Sequence, residues 1–392
     1  MSHRKTPGSQ RQAVPVTCNK DCGGECPLLA HVRDGRVVRI TNNPLGGPYL
    51  TGCAKGRLLP DVLYAPDRLK KPLVRNGPRG SGGFREVEWP EALDLVATRL
   101  AEIKSRYGQE AILHLGGSGA PRGALHNTNR LAKRFLSLSG GYTETYGNYS
   151  MAAADYVTPF VLGTRLAGIA PATLQFSNLI VLWGANISDT RLGTETESWI
   201  REARRRGIDV IVVDPRRSAS VRRLGTQWLP VWPGTDTALM MAVLYVLIQE
   251  GLVNRPFADR VSPGFGELER YVLGHGAEPA KTPAWAEARC GTPAEQIVAF
   301  ARQYGLTHPA ALIPGLSIQR TVGGEEAIRA AIALQIATGN LGVLGGSSGA
   351  LTWGLLPPPR MGAIGVPANP SGAAVPVVQW PDAILDPAQL PT

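Results

Sequence analysis

Four of the chain's five cysteines fall within its first 53 residues, and that crowding constrains the fold more than any other feature. Cys18, Cys22 and Cys26 form a C-x3-C-x3-C run, and Cys53 follows 27 positions later. Disulfides fit poorly, because a chain of 392 residues is long enough for an ordinary core and shows no export signal ahead of the cysteines. Four thiolates satisfy a tetrahedral zinc site, but such sites usually come as two paired knuckles. Here three thiolates share one short loop and the fourth comes from afar, an asymmetry that suits a four-iron four-sulfur cubane. The spacing leaves both metals open and favours iron–sulfur. Gly23 and Gly24 give the loop room to wrap, Pro27 closes it, and Leu28 to Ile40 alternates as a hairpin turning at Asp34-Gly35. Cys290 stands alone and reads as a small buried apolar side chain.

The rest of the chain reads as globular, with 43% hydrophobic and 18% charged residues, and its length predicts two or three domains. A formal charge of +10 suits a phosphate-rich ligand. The arginines are scattered and no basic–aromatic stripe occurs, so nucleic acid is not an expected partner. No apolar run approaches the ~20 residues needed to cross a bilayer. The opening MSHRKTPGSQRQAV has neither an apolar stretch nor an adjacent arginine pair, which makes cytoplasm the expected location.

Along the chain, Tyr64 to Gly83 reads as a surface strap. A helix is predicted from Trp89-Pro90-Glu91 to Gly108, with Leu93, Val96, Ala97, Leu100 and Ile103 at helical spacing. A short buried strand is predicted over Ala111–Leu115, running into Gly116-Gly117-Ser118-Gly119. Strands at Leu179–Trp183 and Val210–Val213 alternate with helices at Thr194–Arg206, Met240–Gln249, Ala294–Tyr304 and Glu325–Ala337. This pattern predicts α/β architecture with a doubly wound, mostly parallel sheet. From Gly339 the chain turns Gly- and Pro-rich and reads as interrupted rather than concluded.

In such sheets ligands sit beyond the carboxyl ends of the strands. Gly184-Ala185-Asn186 and Asp214-Pro215-Arg216 occupy two of those ends, where small residues admit a pyrophosphate and an acid can meet ribose hydroxyls. Plain structural turns give the same pattern, and no GxGxxG is present. Pro233-Gly234-Thr235-Asp236 precedes a helix; Asp236 serves either as its cap, which the residues alone favour, or as an acceptor for the two adjacent donors of guanine.

Taken together, these segments resemble the molybdopterin oxidoreductases of the dimethyl sulfoxide reductase family. The cysteine set with Cys53-Ala54-Lys55-Gly56 is similar to the family's cluster loop. YAPDRLKKPLVRNGPRGSGGFREVEWPEALD is similar to its strap and first helix, and VVDPRRS, WPGTD and ATGNLG to its dinucleotide-contact segments. The resemblance runs from about Val16 to Gly349. It implies a [4Fe-4S] cluster on Cys18, Cys22, Cys26 and Cys53. It also implies molybdenum, or tungsten, held by two molybdopterin guanine dinucleotides.

The segment YGNYSMAAAD matches the family's metal-ligand position and places Ser150 there. A serine alkoxide is a hard oxygen donor suited to oxidised molybdenum. Serine ligation in this family accompanies reductases of S-oxides and N-oxides, which implies oxygen-atom transfer from a small oxide substrate. Lys55 matches the basic residue between cluster and pterin. Asn186, Asp214, Arg216, Gly234 and Asp236 are implied contacts of one guanine dinucleotide, and Gln319, Arg320, Thr338, Gly339 and Asn340 lie near the pterins by the same carry-over. The expected organisation is a cluster domain (12–64), the first part of α/β domain II (65–150), a Rossmann-like domain III (151–340) and a return segment to domain II (341–392). Family members are longer, adding the rest of domain II and a C-terminal β-barrel. The remainder is therefore expected on a further stretch of polypeptide, in a separate chain or lost by truncation, and without it the chain is expected to be inactive. A ferredoxin-like subunit and a membrane anchor are the expected partners. The alternatives are a molybdenum enzyme of other specificity and a non-catalytic iron–sulfur scaffold.

Overall fold

A computed structural model describes residues 11–20, 26–116, 127–164, 167–191, 194–347, 349 and 362–386. Alternating apolar residues at the front form a three-stranded antiparallel sheet of β1 (Arg11–Thr17), β2 (Pro27–Arg33) and β3 (Arg36–Asn42). Asp34 and Gly35 turn the hairpin with φ of 52° and 76°, the doubly positive geometry that matches the twist of paired strands. Two short helices follow, α1 (Ala54–Arg57) and α2 (Leu59–Leu63). Cys18, Cys26, Leu28, Ala30 and Ile40 make the small core of this unit.

The strap carries a two-stranded ribbon, β4 (Leu73–Arg75) with β5 (Phe84–Glu86), and leads into α3 (Trp89–Tyr107). The expected strand over 111–115 is only the two half-buried residues of β6 (Leu113–His114), because Gln109–Ala111 coil into a 3-10 turn and Leu115 is exposed. Gly117 to Gly119 lie outside the described residues. After α4 (Thr128–Leu138), β7 (Thr143–Tyr146) pairs parallel with β6 on one side and with Ala374–Pro376 on the other. This layer is half covered. Leu93 and Val96 of α3, Phe135 and Leu138 of α4, and Ile384 and Leu385 near the C-terminus all stand exposed.

The α/β unit is finished by contrast. It begins with α5 (Ala152–Leu162), β8 (Leu179–Trp183), α6 (Thr194–Arg205), β9 (Asp209–Val213), α7 (Ala219–Arg223) and β10 (Gln227–Leu229). There follow α8 (Asp236–Gln249), α9 (Arg255–Val261), α10 (Phe265–Leu273), α11 (Pro283–Cys290), α12 (Ala294–Leu306), β11 (Ala310–Pro314) and α13 (Gly324–Ala337). The strands are all parallel in the order β10-β9-β8-β11. Successive residues face opposite ways. Leu179, Val181 and Trp183 therefore join the core under α8, α12 and α13, while Ile180 and Leu182 join the one under α6. Helix α8 has buried residues all round, and Cys290 is fully buried in the larger core. Among the described residues no helix is long and apolar enough to cross a membrane.

Candidate functional site

Strand order reverses between β8 and β11, so the connections leave these two strands in opposite directions and open a crevice at their carboxyl ends. Here the two chain segments nearly touch. Gly315 N donates to Trp183 O at 2.7 Å, and a Cβ on Gly315 would sit 2.0 Å from Gly184 O, so no side chain fits. The cleft of about 320 Å³ is lined by Gly184, Asn186, Asp214, Arg216, Ser317 and Arg320, among others. That volume lies within the range of small-molecule sites. A larger groove of about 640 Å³ lies between α5, α8, α10 and α13, and its lining is mostly apolar.

The sequence-predicted residues divide among three places. Asp214, 5% exposed, accepts from Arg216 N at 3.0 Å and faces the cleft beside the exposed Arg216. Asn186 lines the same cleft, but its side chain is used internally: Oδ1 accepts from Ser220 N and Oγ, and Nδ2 donates to Asp189 Oδ2. Gly234 turns the chain with φ of 78°. Thr338 and Asn340 are not brought to the cleft. Both are 1% exposed, Asn340 Oδ1 accepts from Ala310 N at 2.9 Å, and Asn340 Nδ2 donates to Thr338 Oγ1. Ala310 opens β11, whose five residues span roughly 15 Å to the cleft.

Asp236 is not the helix cap that the residues alone favoured. Thr235 holds that position, and Asp236, first residue of α8, accepts from the Trp183 indole N–H at 2.9 Å. The fully buried Trp183 was missed in the sequence, where it read only as the end of an apolar strand. Burial raises the Asp236 carboxyl above its ordinary range, the Trp183 and backbone hydrogen bonds oppose the rise, and the charge of Asp214 adds to it. The folded chain thus holds this proton more tightly than the unfolded chain, so the group's contribution to stability falls as pH climbs from the ordinary carboxyl value through the raised one. Asp236→Asn, which still accepts from Trp183, is expected to melt a few degrees above the parent at pH 7. The difference should close as pH falls toward about 4. Equal melting at both pH values would refute it.

Ser150 lies in the turn between β7 and α5, and Gln319 and the Arg320 Nε (3.1 Å) both donate to its carbonyl oxygen. At the front, Cys18 N donates to Cys26 O at 3.0 Å, and Cys53 leads into α1. A Cβ on Gly56 would lie 3.3 Å from Cys18 Sγ, so α1, the helix that Cys53 precedes, packs closely against that thiol. This arrangement fits a cluster on one loop and one distant thiolate; Cys22 lies outside the described residues. The cluster unit meets the α/β unit through Tyr49, whose ring stacks on Trp199 at 3.8 Å and whose carbonyl accepts from Ser198 Oγ. Lys55 Nζ donates to Asp189 O at 3.1 Å, on the loop that lines the cleft.

Residues 12–65 match the Fe4S4 domain of molybdopterin oxidoreductases, and residues 68–380 match the molybdopterin oxidoreductase family model. The dimethyl sulfoxide reductase DmsA of Escherichia coli K12 is 34% identical over 96% of this chain and 49% of its own length. The dimethyl sulfoxide/trimethylamine N-oxide reductase of Rhodobacter capsulatus is 31% identical over 82% of the chain and 41% of its own length. Among solved structures, acetylene hydratase from Pelobacter acetylenicus aligns with a TM-score of 0.63 and 25% identity, covering 86% of this chain and 44% of that one. The chain thus spans about half the length of the curated relatives it matches. With a [4Fe-4S] domain followed by the domain that carries a molybdenum molybdopterin cofactor, the chain belongs to the dimethyl sulfoxide reductase family of molybdopterin oxidoreductases.

Proposed function

We propose that this chain is the cluster- and dinucleotide-bearing portion of a reductase that takes an oxygen atom from an S-oxide or N-oxide. The observation that carries this reading is the convergence of Ser150, Arg320 and the Asp214–Arg216 turn at one end of the parallel sheet, with Lys55 of the cluster unit bonded to Asp189 on the loop that borders the cleft. Cys18, Cys22, Cys26 and Cys53 hold the cluster, and Ser150 is the protein ligand to molybdenum. When bound, molybdenum supplies the two-electron couple for oxygen-atom transfer. Asp214 and Asp236 accept from ribose and guanine, while Arg216 and Arg320 meet phosphates. The Lys55 ammonium favours an added electron on the cluster by simple attraction.

The uncovered faces of α3 and α4 support a second part of the reading, that further polypeptide seats there to complete the half-covered layer and the activity. The chain's span of about half its relatives' length agrees with this. A ferredoxin-like subunit and a membrane anchor are the proposed electron-transfer partners. The competing reading is an iron–sulfur scaffold without molybdenum.

The test has two arms. Calorimetric titration with GDP should show binding that Asp214→Ala weakens at least about tenfold, the scale of a hydrogen bond to a charged group. Molybdenum and guanine should co-purify with iron once the covering polypeptide is supplied, and metal spectroscopy should change in Ser150→Ala. Iron without molybdenum would favour the scaffold, and a thiolate signature would remove Ser150 from the metal.

A further inference from the structure

Ser150 and Gln319 are far apart in sequence, yet the Gln319 amide donates to the Ser150 carbonyl oxygen beside the cleft. Gln319 is 4% exposed and both ends of its amide are used on backbone. Its Nε2 donates to Ser150 O, and its Oε1 accepts from Ala154 N at 3.0 Å, in the first turn of α5. From the other side, Asn148 Oδ1 accepts from Met151 N, and its Nδ2 donates to Asp155 Oδ2, both at 2.6 Å. The segment carrying Gln319 is itself bolted to the cleft floor: Ser317 Oγ donates to Gly184 O at 2.7 Å, beside the Gly315–Trp183 bond. A buried primary amide is tolerated only when both of its ends are satisfied, and satisfying both leaves it one geometry. Arg320 then joins the two sites, because it lines the cleft and its Nε donates to the Ser150 carbonyl.

The geometry points to a latch. Gln319 is a positioning residue for Ser150, and Arg320 couples that turn to the cleft, so that an anionic nucleotide stiffens the turn that presents Ser150. Nε keeps the carbonyl while the two terminal guanidinium nitrogens remain for phosphate. Loading would then run in order, nucleotide first and a fixed Ser150 second. This inference rests on the roles proposed above for the cleft and for Ser150.

The test is amide hydrogen exchange on the full 392-residue chain without molybdenum, using GDP as the probe. GDP should slow exchange at Met151 and Ala154. Gln319→Leu should speed Ala154 exchange about tenfold, the scale of one buried hydrogen bond, and abolish the GDP effect. It should leave GDP affinity and exchange in β11 unchanged, which separates the latch from general unfolding. Gln319→Glu keeps the acceptor for Ala154 N but loses the donor to Ser150, so Ala154 should stay protected while the GDP effect is lost. Arg320→Ala, on an exposed side chain, should weaken GDP binding and also remove the slowing. GDP binding with an unmoved turn, or Gln319→Leu exchanging like the parent, overturns the latch alone. Absence of any GDP binding overturns the cleft reading and the latch together.

Discussion

Cys53→Ala is expected to empty the chain of iron. Anaerobically purified parent protein should hold about four irons and four acid-labile sulfides, as a cubane requires, and the variant fewer than about one. The loss should come without loss of helix, because Cys53 precedes α1 and makes no side-chain capping bond there. Far-UV circular dichroism should therefore overlay. Cys290→Ala, altering a thiol buried in the other core, serves as the control and should keep its iron. A Cys53→Ala protein with a full complement of iron would take Cys53 out of the ligand set.

Trp183→Ala is expected to cost about 5 kcal/mol, comparable with the whole stability of many domains. Two losses act at one place. The side chain is fully buried and meets Phe300 edge-on with ring centroids 5.9 Å apart, so a large cavity opens. Its N–H also donates to the buried Asp236 carboxyl, which would lose that hydrogen bond and keep only its backbone one. The two are in contact, so their effects should not simply add. Trp183→Phe keeps most of the ring and removes the donor, and should cost only about 1–3 kcal/mol. Urea unfolding measures both. A Trp183→Ala midpoint close to the parent's would show that the strand end relaxes to fill the space and satisfy the acid.

The elements legible in the sequence were those whose apolar spacing follows from being covered on a known side. β8 and β9 are continuous apolar runs because both faces are buried, and α13 is apolar along most of its length because it sits inside the larger core. Gly108 and Gly207 adopt positive φ beyond the ends of α3 and α6, and each marked its helix end as glycine usually does. The strand near residue 113 was over-read, since an apolar run signals burial and here the covering layer is incomplete. At the site, Asp214 and Arg216 were legible because a strand's carboxyl end is where an α/β sheet presents chemistry. Trp183–Asp236, Gln319–Ser150 and Tyr49–Trp199 were not, because each joins segments more than fifty residues apart through one side chain. No local pattern records such a pair. Thr338 and Asn340 are also tied together, with Asn340 bonding across the fold to the first residue of β11.

The stack of Tyr49 on Trp199 bears on the order of biosynthesis. A unit of roughly fifty residues buries too little surface to be secure by itself, and among the described residues five form the core of this one. Its wall is α6, which leaves the ribosome well over a hundred residues after the last cluster cysteine. Domains ordinarily fold in the order they emerge, but here the first-made unit stacks on a helix made later. Cluster insertion should accordingly be a late, post-translational event, and Trp199→Ala should slow iron uptake more than it lowers the final iron content.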